Sequence, residues 1–358
     1  MTGLLAGLPL LVACSLLWDA AAARAGWQGL RSTGLPFRST LWLAIVGLSL
    51  FGGLALTAGT SPGIVLSMAS LSLPLHIFLA LVLRRGLMPN AWTTEGDRES
   101  ARVSRLVIPR DDTPVPGLLF EPRAGARGAI LLVHGAGAHK TFYSWPMIEA
   151  LVEVGFVVCA IDLDGHGDNQ RVLDFPAVLD CVRAAVTTLR QRSAWVAVVG
   201  ISLGGCVAAR AVAEGLAVDA LALVASPIAL QVTPRSARNE RRTLLRLGAW
   251  SLHRYAGTLP LIRGWRTERT RARISTVDLI RQLDLRDSAE RIACPLWLCY
   301  GTRDLIAPVT HARLLAEDAR QPHLVIVPRA THLSLPLDRR ALRALSQWLV
   351  GLQATAQH

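Results

Sequence analysis

One stretch limits what this chain can fold into more than any other: Trp195-Val196-Ala197-Val198-Val199-Gly200-Ile201-Ser202-Leu203-Gly204-Gly205-Cys206. A β-branched, apolar run enters Gly-x-Ser-x-Gly, and the following residues, Leu203 to Val212, are rich in alanine and other helix-tolerant types. The pattern predicts strand, sharp turn, helix. A serine at such a turn sits in a strained backbone conformation, and glycines two residues to either side let strand and helix approach closely. Its Oγ is then exposed above a helix N-terminus, where an oxyanion can be stabilised. The five-residue motif alone is weak; the strand before it and the helix after it give it meaning.

Composition adds a second constraint. Across 358 residues the mean hydropathy is +0.37 and 51% of residues are apolar, too hydrophobic for an ordinary soluble enzyme, so part of the chain is expected in a membrane. Between Arg38 and Arg84 there are 45 residues with no Asp, Glu, Lys or Arg. One helix of that length would run about 68 Å, twice what a bilayer needs. Gly59-Thr60-Ser61-Pro62-Gly63 marks the fold-back and leaves spans at about 40–59 and 63–83. A third apolar segment, 2–23, contains Asp19 and no positive charge. That absence argues against a cleaved signal peptide, and against reading Leu11-Val12-Ala13-Cys14 as a lipidation site; a retained span is the expectation. Arg24, Arg31 and Arg38 follow the first segment and Arg84 and Arg85 follow the last, whereas the turn between carries no charge. The positive-inside rule puts the rest of the chain on the cytoplasmic side, as in a bacterial inner membrane.

Residues 1–85 are thus expected to form a transmembrane region, 86–100 a polar linker and 101–358 a separate domain. In that domain apolar strands alternate with helices, from Val103–Ile108 and Gly117–Phe120 through Ala129–Val133, Phe156–Ile161, the serine strand, Ala220–Val224, Pro295–Tyr300 and Leu324–Val327, to a closing helix at Arg340–Leu352. Continuously apolar strands interleaved with helices indicate a mostly parallel sheet covered on both faces. The six cysteines lie mostly in apolar runs without metal-type spacing and read as buried free thiols in a reducing compartment.

Four motifs at strand ends make a resemblance specific: His134-Gly135-Ala136-Gly137; Asp162-Leu163-Asp164-Gly165-His166-Gly167; the serine turn; and Gly301-Thr302-Arg303-Asp304 with Thr331-His332. Over residues 100–355 the chain resembles the α/β-hydrolase superfamily, most closely its monoglyceride-lipase and serine-aminopeptidase-like branch. The resemblance implies an α/β-hydrolase fold with a helical cap, here about 228–290, and the chain order Ser, Asp, His for the catalytic residues. Ser202 would be the nucleophile, His332 the general base and Asp304 the carboxylate that orients the imidazole; Asp284 and Asp287 compete less well because they precede their strand. Backbone N–H groups of Ala136 and Leu203 would form the oxyanion hole, with His134, Gly135, Gly200 and Gly204 shaping the supporting loops. His134 and His166 beside Asp162 and Asp164 suggest a metal site in isolation, but the resemblance gives those loops a structural role, so neither metal nor cofactor is expected. Cys206, one helical turn beyond Ser202, reads as core.

The interruption between Ser226-Pro227 and Ile292 is strongly basic. From Ala229 to Thr276 eleven arginines face Glu240 and Glu268, so +9 of the net +12 lies there, interleaved with leucines and with Trp250 and Trp265. Such a segment suits an anionic membrane surface; a solvated charged face over a core-facing stripe explains it equally well. Nucleic acid is not the expected partner, since no recognised binding fold accompanies the charge. The sequence therefore points to a membrane-anchored serine hydrolase acting on a small-molecule or lipid acyl ester, lysophospholipase-like, through an acyl-enzyme. Amide cleavage, thioester cleavage and acyl transfer on the same residues stay open, as does an inactive membrane-tethered interaction module. The oligomeric state is not legible.

Overall fold

Among the described residues nine strands form one sheet in the order β1-β2-β3-β5-β4-β6-β7-β8-β9. They are β1 Gly96–Asp97, β2 Ala101–Ile108, β3 Val115–Pro122, β4 Gly128–Val133, β5 Phe156–Ile161, β6 Val196–Ile201, β7 Ala220–Val224, β8 Leu296–Gly301 and β9 Pro322–Val327. The first three run antiparallel to their neighbours, and every pairing from β5–β4 to β8–β9 is parallel. Among the described residues, helices with defined bounds are α1 Trp145–Glu153, α2 Leu179–Arg190, α3 Leu203–Ala213, α4 Thr276–Leu283, α5 Leu285–Arg291, α6 Val309–Asp318 and α7 Arg339–Ala356. This computed structural model describes residues 96–97, 100–111, 113–140, 145–230, 232–240, 242–243 and 271–356.

Burial follows the sequence pattern. Every residue of β4, β6, β7 and β8 is buried, as continuously apolar strands require when helices cover both faces. The near-edge strand β2 instead alternates, with Ala101 and Val103 inside and Arg102, Arg105 and Val107 outside. Helix α3 packs on β6 and β7, and α4 and α5 pack against α3. These last two helices occupy the end of the stretch expected as cap, about 228–290. Gly96 and Asp97, at the end of the expected linker, already pair with Val103 and Arg102 of β2.

After β4 the chain moves to β5 on one side, and after β6 it moves to β7 on the other. The carboxyl ends of β4 and β6 therefore flank the point where the winding reverses, the place at which open α/β sheets leave a crevice. The loops leaving these two strands carry His134–Gly137 and Ser202.

The expected spans 2–23, 40–59 and 63–83, and residues 244–270 of the expected cap, lie outside the described residues. Among the described residues no helix is long and apolar enough to cross a membrane. Cys159, Cys181, Cys206, Cys294 and Cys299 are free thiols, and all but Cys294 are buried.

Candidate active site

Ser202 occupies the turn between β6 and α3 with φ 52° and ψ −118°, a left-handed conformation that costs a non-glycine residue on the order of 1–3 kcal/mol. Its neighbours explain how the turn persists. Ser202 N–H donates to Val224 O (2.8 Å), while Gly205 N–H and Cys206 N–H donate to Ser202 O (3.0 and 3.3 Å), so the backbone is held at both ends. A Cβ on Gly200 would collide with the Gly205 backbone, and one on Gly204 with the carbonyls of Val133 and His134. Only hydrogen fits at either position, which is the close approach the glycine spacing predicts.

Two other loops meet this turn. Asp304 follows β8, and both of its carboxylate oxygens are engaged: Oδ1 accepts from Ile306 N–H and Ala307 N–H (2.8 Å each), and Oδ2 lies 2.9 Å from His332 Nδ1. His332 follows β9, and its Nε2 lies 3.0 Å from Ser202 Oγ. The Asp304 side chain is fully buried and the His332 side chain is 11% exposed. Backbone bonds tie the two loops together, Arg303 N–H to Ala330 O (2.9 Å) and Thr302 N–H to Val327 O (3.1 Å). The structure thus brings Ser202, His332 and Asp304 into one hydrogen-bonded chain, whereas Asp284 caps α5 and Asp287 meets Arg291 and Arg210 away from it.

The loop after β4 runs past the serine. A Cβ on Gly135 would lie 3.2 Å from Ser202 Cβ and 3.8 Å from its Oγ, so this segment, with Ala136 next in the chain, borders the hydroxyl. Leu203 is the first residue of α3, where N–H groups have no intrahelical acceptor. His134 is buried beneath the loop: its Nδ1 lies 2.8 Å from Gly135 O and its Nε2 accepts from Leu163 N–H (3.1 Å). Burial, with His166 adding to it, pushes the His134 pKa well below its ordinary value and keeps the ring neutral. The His166 ring packs edge-on at 5.1 Å and accepts from Gly137 N–H, while burial lowers its pKa also. Both imidazoles therefore brace the loop through their neutral forms. Among the described residues no His, Cys, Asp and Glu cluster is arranged to hold a metal.

Cys206 is fully buried, with its thiol directed at Pro227 O (3.4 Å) and its pKa raised by burial to about 12, which leaves it no nucleophilic character near neutrality. Lys140, the only lysine in the chain, carries more structure than the sequence suggested. Its ammonium meets Asp162 Oδ2 (2.6 Å) and Asp168 Oδ2 (2.7 Å), and its backbone N–H donates to Asp162 Oδ1 (2.7 Å). A single lysine among 37 arginines was the available signal. Asn239 and Glu240, also missed, contact the backbone of the Asp304 and His332 loops.

A model of the alpha/beta hydrolase family matches residues 130–346. The chain belongs to that family. It is similar to the pimeloyl-[acyl-carrier protein] methyl ester esterase of Chromobacterium violaceum, 28% identical over 262 residues, which spans 64% of this chain and 98% of the relative. The same enzyme of Methylococcus capsulatus is 29% identical over 223 residues, 55% of this chain and 85% of the relative. In fold it is similar to an esterase of Pyrococcus furiosus at TM-score 0.53 and 18% identity, covering 73% of this chain and 96% of that one. The family and the esterases that the chain resembles indicate an enzyme, a hydrolase consistent with the serine type.

Proposed function

We propose that this α/β-hydrolase cleaves carboxylic esters through Ser202 as nucleophile, His332 as general base and Asp304 as the group that fixes the imidazole. The observation that carries the reading is the continuous path Ser202 Oγ–His332 Nε2 (3.0 Å) and His332 Nδ1–Asp304 Oδ2 (2.9 Å) at the switch point of the sheet. A neutral imidazole with its Nδ1–H on Asp304 leaves Nε2 free to take the serine proton as Oγ attacks the ester carbonyl. The tetrahedral oxyanion would be met by the N–H groups of Ala136 and Leu203, and His332 would return the proton to the departing alkoxide, leaving an acyl-Ser202 for water to hydrolyse. The names of the relatives it matches favour an ester over an amide. They also favour an acyl chain carried on a protein as one candidate substrate, beside a lipid acyl ester.

The membrane part of the reading rests on the sequence alone: the uncharged run between Arg38 and Arg84, the arginine distribution and the basic segment 229–276. On that basis we place the hydrolase domain at the cytoplasmic face, where lipid esters are within reach. A fluorophosphonate probe on the detergent-solubilised full chain tests the chemistry: wild type is expected to label and Ser202→Ala not to. Equal hydrolysis of a short-chain nitrophenyl ester by Ser202→Ala and wild type would falsify the assignment, and a probe that never labels wild type would favour an inactive tethered module. Release of fatty acid from anionic vesicles, against hydrolysis of a methyl ester on a carrier protein, separates the two substrate classes.

A further inference from the structure

Beyond β7 the chain builds a short helix whose start is well defined. Residues 234–240 are helical, with Pro234 in the first position. Thr233 and Ser236 exchange bonds as a capping box does, Thr233 N–H to Ser236 Oγ (2.9 Å) and Ser236 N–H to Thr233 Oγ1 (3.1 Å). This helix delivers two consecutive side chains to the two loops just described. Asn239 Nδ2 donates to Arg303 O (3.0 Å), the carbonyl immediately before Asp304. Glu240 Oε2 accepts from Leu333 N–H (3.0 Å), the amide immediately after His332. Asn239 Nδ2 also donates to Glu240 Oε1 (3.1 Å), which joins the two contacts.

Glu240 is 6% exposed and has no ion-pair partner among the described residues. A buried polar side chain is retained where its hydrogen bonds are made, and here each oxygen accepts one N–H. Its two engaged oxygens leave the side chain little freedom, and the amide it holds is one peptide from the imidazole.

We propose that Asn239 and Glu240 are positioning residues that clamp the Asp304 and His332 loops in register from the cap segment, so that the placement of the general base depends on the helix 234–240. The proposal rests on the reading of Ser202, His332 and Asp304 above. Loss of the clamp frees the His332 loop by fractions of an ångström, and displacement of about 1 Å at a reacting group costs up to about a hundredfold in rate.

The test uses the full chain, with a nitrophenyl ester as substrate and the fluorophosphonate labelling rate as a second readout. Glu240→Ala is expected to lower kcat and the labelling rate together by about tenfold or more while KM changes by less than about threefold. Glu240→Gln keeps an oxygen that accepts from Leu333 N–H and is expected to recover most of the loss. Asn239→Ala, at a half-buried position where folding is not at stake, is expected to slow labelling by about threefold to tenfold. Wild-type labelling rates in both alanine variants would overturn the clamp, and so would a Glu240→Gln as slow as Glu240→Ala. Ser202→Ala is run alongside: if it retains turnover, the underlying reading fails and takes the clamp with it, whereas an inert Ser202→Ala beside fast alanine variants sinks the clamp alone.

Discussion

Lys140 satisfies both oxygens of Asp162, its ammonium at 2.6 Å from Oδ2 and its own backbone N–H at 2.7 Å from Oδ1. Asp162 is fully buried at the carboxyl end of β5, and Asp168 N–H is the third donor to this carboxyl group, the second on Oδ2 (2.9 Å). The loops after β4 and β5 are joined here, and through them the segment that borders Ser202. Burial opposes the charge on Lys140, but Asp162 and Asp168 outweigh it and raise its pKa.

Lys140→Met would leave the buried Asp162 carboxyl without its ammonium partner. Removing one partner of a buried pair costs about 3–5 kcal/mol, so the urea midpoint of the hydrolase domain is expected to fall by that equivalent. Lys140→Arg keeps the charge but forces a larger planar group into the space of an ammonium, and its loss should be smaller than that of the methionine variant. An unchanged midpoint in Lys140→Met would show that the pair contributes nothing net.

Asp304→Asn makes a sharper statement about the proposed relay. Two backbone N–H groups, of Ile306 and Ala307, converge on Oδ1, so an asparagine there has to keep its carbonyl oxygen toward them and present its NH2 to His332 Nδ1. The imidazole must then carry its proton on Nε2, facing Ser202 Oγ, and can no longer accept one. The expected outcome is a folded protein with kcat reduced by about ten thousandfold, measured with a nitrophenyl ester beside a thermal melt. A loss below about tenfold would mean that Asp304 does not set the tautomer.

Gly135→Ala and Gly204→Ala separate the site from the fold. At Gly204 an added methyl meets the carbonyls of Val133 and His134, which cannot retreat without breaking the exit of β4, so this variant is expected to lose several kcal/mol and to express poorly. At Gly135 the methyl meets Ser202 Cβ at 3.2 Å and Ile201 O at 3.3 Å, contacts that relax with shifts of a few tenths of an ångström. Gly135→Ala should therefore fold and still lose about tenfold or more in kcat, because the shift falls on the nucleophile and on the loop of Ala136.

The features that were legible in the sequence share a property: each is local. The strand into Gly200-x-Ser202-x-Gly204, the continuous apolar strands β4 to β8 and the loop motifs at their ends are readable because short periodicity and turn chemistry determine them. Helix bounds shifted by a few residues, as for the closing helix, expected at Arg340–Leu352 and running Arg339–Ala356. The contacts of Asn239, Glu240 and Lys140 left no such trace. Glu240 reads in sequence as one acid among arginines, and its role depends on a backbone amide 93 positions away. Likewise the packing of α4 and α5 on α3 joins residues far apart in the chain and leaves no local pattern.

The buried histidines set a direction for pH. His134 and His166 have pKa values below their ordinary 6.5, lowered chiefly by burial, and both accept a backbone N–H on Nε2. In the unfolded chain the same rings take up a proton as pH falls through about 6.5, so the unfolded state binds more protons there and is favoured. Stability is expected to be complete above that pH and to decline below it, by up to about 1.4 kcal/mol per pH unit for each histidine, until the lowered folded-state values are reached. Urea midpoints from pH 8 to pH 5 measure the slope. In His134→Gln, where one titrating ring is gone, the slope between pH 6.5 and pH 5 should shrink by one histidine's share, whatever the variant costs at pH 8. A slope identical to wild type would mean that His134 enters the folded chain already able to hold its proton, and that the loop beside Ser202 does not depend on a neutral ring.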